Sequence, residues 1–442
     1  MNQGTPSSPA ATSPRGAPRT TVLVIVADDL GFSDLGFLGG EIHTPNLDAL
    51  AHRGVTLAHF RASPACSPSR AMLMTGVDHH RSGFGTMREM IAGNQLDRPG
   101  YETRLDPHRS TIAEVLRASG YFTIMAGKWH LGFEPAEDPA ARGFERSFAM
   151  LHWGSGNFEG EHSRVPEHVP SRVGEIPFRS GSHDFTLDGR PVSTLPDGFF
   201  STDAYVDFIS DSLRNDGSRR PFFAYLAFNA PHVPIQAPDD WLDRYAGRYD
   251  AGPAAIRAGR VARLRALGLF PDDARAGEMR PGDEAWRRVP EETRRRLTRV
   301  QEVYAAMVDN LDQNVGRLLD ASARLGRLDN TVVVFLSDNG ASREGEALGT
   351  AQYLRTMITG QIGDPSASLA RDLRQIDELG GPTTLPHYPR GWGMASGTPW
   401  RLYKQHTYAG GHTVPFIVAG PGIPAGDVRF QYQHATDLVP TL

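Results

Sequence analysis

The chain has 442 residues, with 46 basic side chains, 51 acidic side chains and one cysteine. This length allows one large α/β unit or two to three domains of ordinary size. A net charge of −5 gives no electrostatic reason to bind nucleic acid. One cysteine excludes an internal disulfide framework, and no apolar run reaches the roughly 18 residues of a membrane span. The composition therefore predicts a soluble globular enzyme or binding protein with no nucleic-acid and no membrane partner.

The chain begins with a predicted tail. Residues 1–19 are rich in Pro, Ser, Ala and Gly and lack the apolar stretch of a signal peptide. We therefore expect a disordered tail and a cytoplasmic protein. Residues 20–442 are expected to form one α/β domain. The chain stops within a helix-like segment, residues 435–442, so we expect more polypeptide to follow it.

After Thr20, short apolar runs alternate with helical periodicity, which is typical of a parallel α/β sheet. Strands that are apolar throughout are usually buried on both faces. The longest predicted helix, Glu292–Arg324, has apolar residues at steps of three and four. The five predicted strands are Val22–Ala27, Tyr121–Ala126, Phe222–Phe228, Thr331–Leu336 and Val414–Val418.

Three stretches interrupt this alternation. Residues 154–196 have little apolar periodicity and are predicted to be long surface loops. Residues 243–299 are dense in Arg and are predicted to be a solvated helical excursion, in preference to a phosphate-binding patch. Residues 344–387 are predicted to be an insertion that is helical in its middle.

Polar residues follow four of the predicted strands at their carboxyl ends, where ligands bind in open α/β sheets. Each segment alone is typical of a cap or a turn, but four together indicate one site at one sheet edge. The segments are Asp28–Asp29, Gly127–His130, Asn229–His232 and Ser337–Gly340. Their oxygen donors are Asp28, Asp29, Asp338 and Asn339. Three carboxylates and an amide oxygen predict Ca²⁺ or Mg²⁺ and not Zn²⁺.

Lysine usage singles out two further positions. Lys occurs at Lys128 and Lys404, so the other 44 of the 46 basic residues are Arg. Coding preference for Arg explains the surface but not these two exceptions. Arg is a planar fork and Lys a compact point charge, so Arg cannot replace Lys where a point charge is needed. We therefore expect both lysines to be site residues.

The cysteine stands at the start of a predicted helix. Cys66 is followed by Pro68, which is typical of a first helical turn, where N–H groups and the helix dipole favour anions. Arg70 lies one turn on and is expected to point toward the same spot. A lone cysteine is most often a buried apolar residue. However, a nucleophile that lies beside Arg, two Lys, two His and a divalent cation is typical of a site that binds and cleaves an anionic tetrahedral ester.

At these residues the sequence resembles the type I sulfatases, and most closely the bacterial soluble arylsulfatases. Residues 66–70 (CSPSR) match the C-x-P-x-R signature of that family. The segments VLVIVADDLGFSDLG, TPNLDALA, GYFTIMAGKWHLG, SDNGA and TPWRLYKQHTYAGG follow the family's order. The resemblance covers residues 22–442. It implies an alkaline-phosphatase-like fold, in which helices flank both faces of a large mixed, mostly parallel sheet, and a C-terminal subdomain beyond residue 442.

The resemblance also implies the chemistry. A separate maturation enzyme oxidises Cys66 to Cα-formylglycine, whose hydrate hydrolyses sulfate monoesters with one metal ion, Ca²⁺ ahead of Mg²⁺. The implied metal ligands are Asp28, Asp29, Cys66 as formylglycine, Asp338 and Asn339. The implied catalytic and sulfate-binding residues are Cys66, Arg70, Lys128, His130, His232, Asp338 and Lys404. We expect His130 to be the base for sulfate release, His232 or Lys404 to protonate the leaving alcohol, and Asp338 to help activate the nucleophile.

Several alternatives stay open. A phosphonate monoester or phosphodiester hydrolase would share both signature and fold. A two-zinc phosphatase site is disfavoured, because Asn339 and not His follows Asp338. A sulfoester-binding protein with an unmodified Cys66 thiol is the non-enzymatic alternative. The aromatic residues Trp129, Trp153 and Phe158 are interpreted either as the lining of a substrate pocket or as core.

Overall fold

The computed structural model describes residues 19–159, 168–171, 174–177, 185–280, 285–349 and 365–442. The strands are β1 (Thr21–Ala27), β2 (Val55–Leu57), β3 (Phe60–Arg61), β4 (Phe122–Lys128), β5 (Arg146–Met150), β6 (His168–Ser171), β7 (Gly174–Pro177), β8 (Phe185–Leu187), β9 (Arg190–Pro191), β10 (Phe222–Ala227), β11 (Thr331–Ser337), β12 (Phe416–Ala419), β13 (Asp427–Arg429) and β14 (Gln433–His434). The α-helices are α1 (Pro45–His52), α2 (Cys66–Thr75), α3 (Ile112–Ala118), α4 (Ser201–Asn215), α5 (Asp239–Leu242), α6 (Pro253–Ala266), α7 (Glu291–Arg324), α8 (Pro365–Arg374), α9 (Arg390–Ser396), α10 (Ala409–His412) and α11 (Leu438–Thr441). Short 3₁₀ helices lie at Gly36–Leu38, His79–Ser82, Arg88–Met90, Trp286–Arg288, Leu328–Asn330, Ile376–Glu378 and Ala435–Asp437.

Ten strands form one sheet, in the order β13-β2-β12-β11-β1-β10-β4-β5-β8-β9. The five central strands, from β11 to β5, are parallel, and β12 and β8 pair antiparallel on either side of them. The pairs β14–β3 and β6–β7 form two small separate sheets. The predicted α/β class with a mixed, mostly parallel sheet is therefore confirmed.

Helices cover both faces of the central strands. In β1, Leu23 and Ile25 pack into a core that includes residues of α1, α4 and α7. Val22 and Val24 point the opposite way, as alternate residues of a strand do, and pack with residues of α2 and α3. Burial on both faces explains why these strands are apolar throughout rather than alternating.

The predicted strands and the long helix are present with shifted ends. Strand β4 extends to Lys128, so this residue belongs to the strand and not to the loop after it. Strand β12 begins at Phe416, two residues later than predicted. Helix α7 begins at Glu291, one residue earlier than predicted. In the described part of the chain, no helix combines the length and apolar character that a membrane span requires.

The prediction of surface loops over residues 154–196 is wrong at four short strands, whereas residues 154–159 and 192–196 form neither helix nor strand. Strands β6 and β7 pair antiparallel with each other, and β8 and β9 extend the main sheet beyond β5. Strand β8 pairs with β5, which lies more than 30 residues earlier in the chain, and none of these short strands has an apolar pattern of its own. Residues 160–167, 172–173 and 178–184 of this stretch lie outside the described residues.

Two other predicted segments are described only in part. Residues 1–18 of the predicted tail lie outside the described residues, and Arg19 already packs on the fold, because its carbonyl accepts a hydrogen bond from Asn330 Nδ2 at 2.8 Å. Residues 350–364 of the predicted insertion also lie outside the described residues. Helix α8 occupies the part that follows them, as expected for an insertion with a helical middle.

The Arg-dense stretch is not simply solvated, which corrects its prediction. Arg260 on α6 is completely buried, with Nη1 2.6 Å from Asp34 Oδ1 and Nη2 2.7 Å from Glu41 Oε1. Arg257 on the same helix is also buried and donates to the carbonyls of Pro399, at 3.1 Å, and of the next residue. Helix α6 is thus tied to the loop after β1 and to the segment before Lys404, both of which carry candidate site residues.

We expect the Arg260→Gln variant to lose about 3–5 kcal/mol of unfolding free energy, because buried Asp34 would lose its counter-charge and Glu41 would keep only the half-exposed Arg263. Urea unfolding measures the loss. Arg263→Gln is the matched control on the same helix: Arg263 also contacts Glu41, at 3.2 Å, but its side chain is 45% exposed. The control should lose no more than about 1 kcal/mol. Equal losses in the two variants would contradict this account of α6.

Candidate active site

The strand order brings the candidate residues to one edge of the sheet. Strands β11, β1, β10 and β4 are consecutive neighbours and parallel, so their carboxyl ends lie side by side. Helix α2 begins at this edge, with Cys66 Sγ 3.5 Å from Asp28 Oδ1. The candidate residues that these five elements deliver are Asp28, Asp29, Cys66, Arg70, Lys128, His130, His232, Asp338 and Asn339. Lys404, in the loop between α9 and α10, joins them through Asp29.

The predicted metal ligands form one buried cluster. Asp29 N donates to Asp338 Oδ1 at 3.3 Å, and Asn339 Nδ2 donates to Asp29 Oδ1 at 2.6 Å. The Cys66 sulfur lies 3.9 Å from Asp29 Oδ1. All five residues are buried. The structure therefore brings the whole predicted ligand set together.

The cluster fits a divalent cation. Burial raises the pKa of Asp29 to about 7, with the nearby acidic groups Asp28, Glu344 and Asp338 adding to the rise and Lys404 opposing it. The ionised form of Asp29 is therefore disfavoured in these surroundings, and a further cation beside it would favour that form. Asn339 Oδ1 is buried and accepts no hydrogen bond from the described residues. Buried carboxylates and a spare amide oxygen are what a hard cation uses as ligands.

His232 also reaches this cluster, although it was not predicted as a ligand. The ligand atoms of Asp28, Asp29, Cys66 and His232 lie within 4.8 Å of one another. His232 Nε2 lies 3.7 Å from Asp29 Oδ2, and its Nδ1 lies 2.8 Å from the carbonyl oxygen of Val233. Its orientation is therefore set by the neighbouring backbone, with Nε2 directed to the acidic cluster.

Three buried cations face the carboxylates. A buried charge is stable only when it is paired, so each cation is fixed in place by its partner. Burial alone would raise the pKa of Asp28, but Lys128 and the other nearby cations hold it well below its usual range. The closest pairs are Lys128 Nζ with Asp28 Oδ2 (2.5 Å), Lys404 Nζ with Asp29 Oδ1 (2.8 Å) and Arg70 Nη2 with Asp338 Oδ2 (2.8 Å). Both lysines of the chain thus lie in one site.

Unusual backbone conformations help to present these groups. Asp29 and His130 have φ values of 65° and 55°, a region that costs a non-glycine residue about 1–3 kcal/mol. Gly127 has φ of 107°, and a Cβ there would lie 1.8 Å from the carbonyl oxygen of Ala227. Only glycine allows β4 to approach β10 so closely one residue before Lys128.

His130 pairs with a residue that the sequence analysis does not single out. Its Nε2 lies 3.1 Å from Glu89 Oε1, and the two side chains are 2% and 11% exposed. Burial lowers the pKa of His130 although Glu89 opposes this effect, so the surroundings favour the neutral imidazole. Glu89 belongs to the 3₁₀ helix Arg88–Met90. That segment has neither strand nor helix periodicity, so no sequence signal points to it.

Glu344 is the second residue that sequence analysis misses. Its Oε2 lies 3.7 Å from Lys404 Nζ and 3.4 Å from His387 Nε2. Burial raises the pKa of Glu344, but Lys404 and His387 outweigh it and keep the carboxyl ionised at neutral pH. The one sequence feature that could have indicated Glu344 as a site residue is its position six residues after Asp338.

The aromatic candidates have different positions. Trp129 is completely buried, packs against Phe144 and donates Nε1–H to a backbone carbonyl at 2.9 Å, so its pocket interpretation is wrong and it belongs to the core. Phe158 packs on Phe200, with ring centroids 5.1 Å apart. Trp153 contacts a candidate site residue, because its ring lies edge-on to the His232 ring, with the ring centroids 6.2 Å apart.

Comparison with known proteins identifies the family. The profile of the Sulfatase family matches residues 20–442, and the chain therefore belongs to this family of sulfuric ester hydrolases. It is 36% identical over 427 residues to an arylsulfatase of Klebsiella aerogenes, covering 96% of this chain and 86% of that protein. It is 37% identical over 426 residues to an uncharacterized sulfatase of Schizosaccharomyces pombe, covering 95% and 74%. The resemblance stated above is thereby confirmed.

Solved structures show the same fold. Ps i-CgsB, in complex with k-i-k-neocarrahexaose, matches with a TM-score of 0.59 and 24% identity, covering 96% of this chain and 71% of that chain. A phosphonate monoester hydrolase of Agrobacterium radiobacter matches with a TM-score of 0.51 and 21% identity, covering 96% and 73%. The alkaline-phosphatase-like fold expected from the resemblance is confirmed.

We expect a divalent cation to stabilise this site, because it would offset the repulsion among the carboxylates. Chelator-treated protein should gain unfolding free energy on titration with Ca²⁺ or Mg²⁺, by about 2.7 kcal/mol at a hundredfold excess over Kd. Asp29→Asn, which keeps the shape and tolerates a positive φ, should abolish the gain. Asp309→Asn is the control, since Asp309 is a buried carboxylate on α7 that pairs with Arg244. The same gain in both variants would contradict the assignment.

Proposed function

We propose that this chain hydrolyses sulfate monoesters to an alcohol or phenol and inorganic sulfate. The nucleophile is formylglycine at position 66, made by a separate maturation enzyme, and one divalent cation takes part, Ca²⁺ ahead of Mg²⁺. One observation carries the proposal: Cys66, at the N-terminus of α2, lies 3.5 Å from Asp28 and next to buried cations. Sulfatase family membership and the arylsulfatase relative support the same reaction class.

An unmodified thiol suits this site poorly. Burial raises the pKa of Cys66 well above its usual value, and Asp28 and Asp338 add to the rise although both lysines lower it. A cysteine nucleophile needs the opposite, a lowered pKa and a thiolate. This environment therefore disfavours thiolate chemistry and supports a modified side chain.

Residues of the buried cluster would hold the cation and the formylglycine. The metal ligands would be Asp28, Asp29, Asp338, Asn339 and residue 66. The bound cation would acidify the attacking hydroxyl and offset charge on the sulfuryl oxygens. The hydrated aldehyde would supply one hydroxyl to attack sulfur and a second whose deprotonation releases sulfate.

The remaining residues bind the sulfate group and move protons. Lys128, His232 and Lys404 bind the sulfate oxygens, and the two lysines offset the charge that develops on them. Arg70 holds one hydroxyl of residue 66, in an orientation fixed by the hydrogen bond from its Nε to Asp338 Oδ2 at 2.9 Å and by the ion pair of Nη2 with the same oxygen. Lys404 or His232 protonates the leaving oxygen, since both carry a nitrogen that lies within 4 Å of Asp29 Oδ2.

Hydrolysis of phosphonate monoesters or phosphodiesters is the alternative function. The Agrobacterium enzyme shares the fold, and these substrates carry one negative charge, as sulfate monoesters do. Net charge therefore does not separate the two functions. Phosphate monoesters carry about two charges, and ionised Glu344 beside Lys404 disfavours the second one.

We expect 4-nitrophenyl sulfate to be the better substrate when its kcat/KM is compared with that of 4-nitrophenyl phenylphosphonate. The tryptic peptide of residues 62–70 should show by mass that Cys66 has lost its sulfur.

Cys66→Ala should abolish turnover, and Cys66→Ser should release at most a stoichiometric amount of phenol, because a serine ester cannot expel sulfate as an aldehyde hydrate does. Full turnover by either variant, or a preference for the phosphonate, would overturn the proposal.

We expect Lys404→Arg to lower kcat/KM for 4-nitrophenyl sulfate by about 10²–10³-fold, the loss typical of removing one donor to a developing oxyanion. A planar guanidinium does not fit a buried point-charge position that lies 2.8 Å from Asp29. Arg401→Lys is the control, because Arg401 is exposed in the same loop and stacks on Tyr408. Unchanged kinetics in Lys404→Arg would show that this position needs only a positive charge.

A further inference from the structure

The His130 ring is held at one nitrogen only. Nε2 lies 3.1 Å and 3.4 Å from the two carboxylate oxygens of Glu89. Nδ1 is buried and has no hydrogen-bond partner within the described ranges. Because the side chain is only 2% exposed, bulk water does not compete for either nitrogen. An unpaired buried nitrogen is costly unless a further group is to bind it.

The charges around the ring decide where its proton lies. The groups that act on its charge are Glu89 on the 3₁₀ helix Arg88–Met90, Lys128 at the end of β4, Arg70 on α2 and His152 after β5. Lys128 and Arg70 are cations and disfavour an imidazolium. An ionised carboxylate accepts hydrogen bonds and cannot donate them, so the nitrogen that faces Glu89 carries the proton. Nδ1 therefore keeps its lone pair.

We propose that Glu89 is a positioning residue that fixes His130 with its proton on Nε2, so that Nδ1 accepts the proton of residue 66 when sulfate is released. The inference rests on the proposed function and goes beyond it, because it assigns a further residue and the nitrogen that acts. Glu89 does not contact the reacting atoms and acts through His130. Such a carboxylate–imidazole pair orients the base and stabilises the imidazolium that forms.

The proton transfer balances without a further reactant. Nδ1 takes the proton of the hydroxyl that residue 66 retains after sulfuryl transfer. The electron pair of that O–H bond forms the carbonyl double bond, and the carbon–oxygen bond to sulfate breaks as sulfate leaves with its electron pair. The imidazolium, paired with ionised Glu89, then returns its proton to solvent. No atom is oxidised or reduced in this step.

The first test is the kinetics of Glu89→Gln. With 4-nitrophenyl sulfate, kcat should fall by about 10²–10⁴-fold, the usual contribution of a positioned general base. The first phenol should still be released in a stoichiometric burst, and the peptide of residues 62–70 should gain the mass of one sulfuryl group. His130→Ala should behave in the same way. Glu89→Asp, which keeps the charge on a shorter side chain, should give an intermediate kcat.

The second test does not depend on activity. The ¹⁵N chemical shifts of the His130 ring, assigned by their loss in His130→Asn, should show a protonated Nε2 and a bare Nδ1 in the wild-type protein. In Glu89→Gln the neutral amide can also donate to Nε2, so the shifts should move toward the other tautomer or a mixture. Identical shifts in the two proteins would overturn the proposal.

The outcomes separate this proposal from the proposed function. If wild-type protein with formylglycine at position 66 does not hydrolyse sulfate esters, the proposed function fails, and the nitrogen shifts still decide the tautomer. If the wild type is active and Glu89→Gln shows wild-type kcat and no burst, only the role of Glu89 fails.

Glu102→Gln, at an exposed glutamate in the next segment, is the control and should match the wild type in both tests. If Glu89→Gln lowers the thermal stability and gives no burst of phenol, the positioning role of Glu89 is also overturned, because Glu89 would then only stabilise the fold.

Discussion

The arrangement of this site depends on three carboxylates that are buried together at the ends of parallel strands. Strand register places them: Ala27 pairs with Ser337, so the next residues, Asp28 and Asp338, stand side by side. Because strand side chains alternate between faces, a slip of one residue would move either carboxylate out of the cluster. The apolar packing on both faces of β1 and β11 therefore secures the register, and through it the acidic centre and every cation that pairs with it.

Lysine and arginine occupy different kinds of buried position in this chain. The two lysines are compact charges that face Asp28 and Asp29, where a small ammonium leaves room for a ligand oxygen. Arginine is found where several nitrogens of one side chain are used: Arg70 contacts Asp338 Oδ2 through both Nε and Nη2, and Arg260 bridges the two carboxylates Asp34 and Glu41. This division explains why an Arg-rich sequence keeps two lysines, and why the Arg-dense stretch contains buried structural residues.

Sequence reasoning succeeded where local pattern and three-dimensional position coincide. Buried parallel strands are contiguous apolar runs, so the ends of β1 and β11 and the polar residues after them could be located from the sequence. It failed where distant segments meet. Strand β8 forms by pairing with β5, which lies more than 30 residues earlier, and the burial of Arg260 follows from acids more than 200 positions away in the chain. Glu89 could not be predicted from the sequence for the same reason, because its partner, His130, lies 41 residues further along the chain.

The two histidines of the site present opposite nitrogens. His232 directs Nδ1 to the carbonyl of Val233 and Nε2 to Asp29, so its reactive nitrogen belongs to the acidic centre. His130 directs Nε2 to Glu89 and leaves Nδ1 without a hydrogen-bond partner among the described residues. His130 thus has a carboxylate partner of its own, whereas Nε2 of His232 faces Asp29, a candidate metal ligand. The geometry therefore gives the two imidazoles different partners: His232 is directed to the acidic cluster, and His130 is oriented by Glu89 with its other nitrogen able to accept a proton.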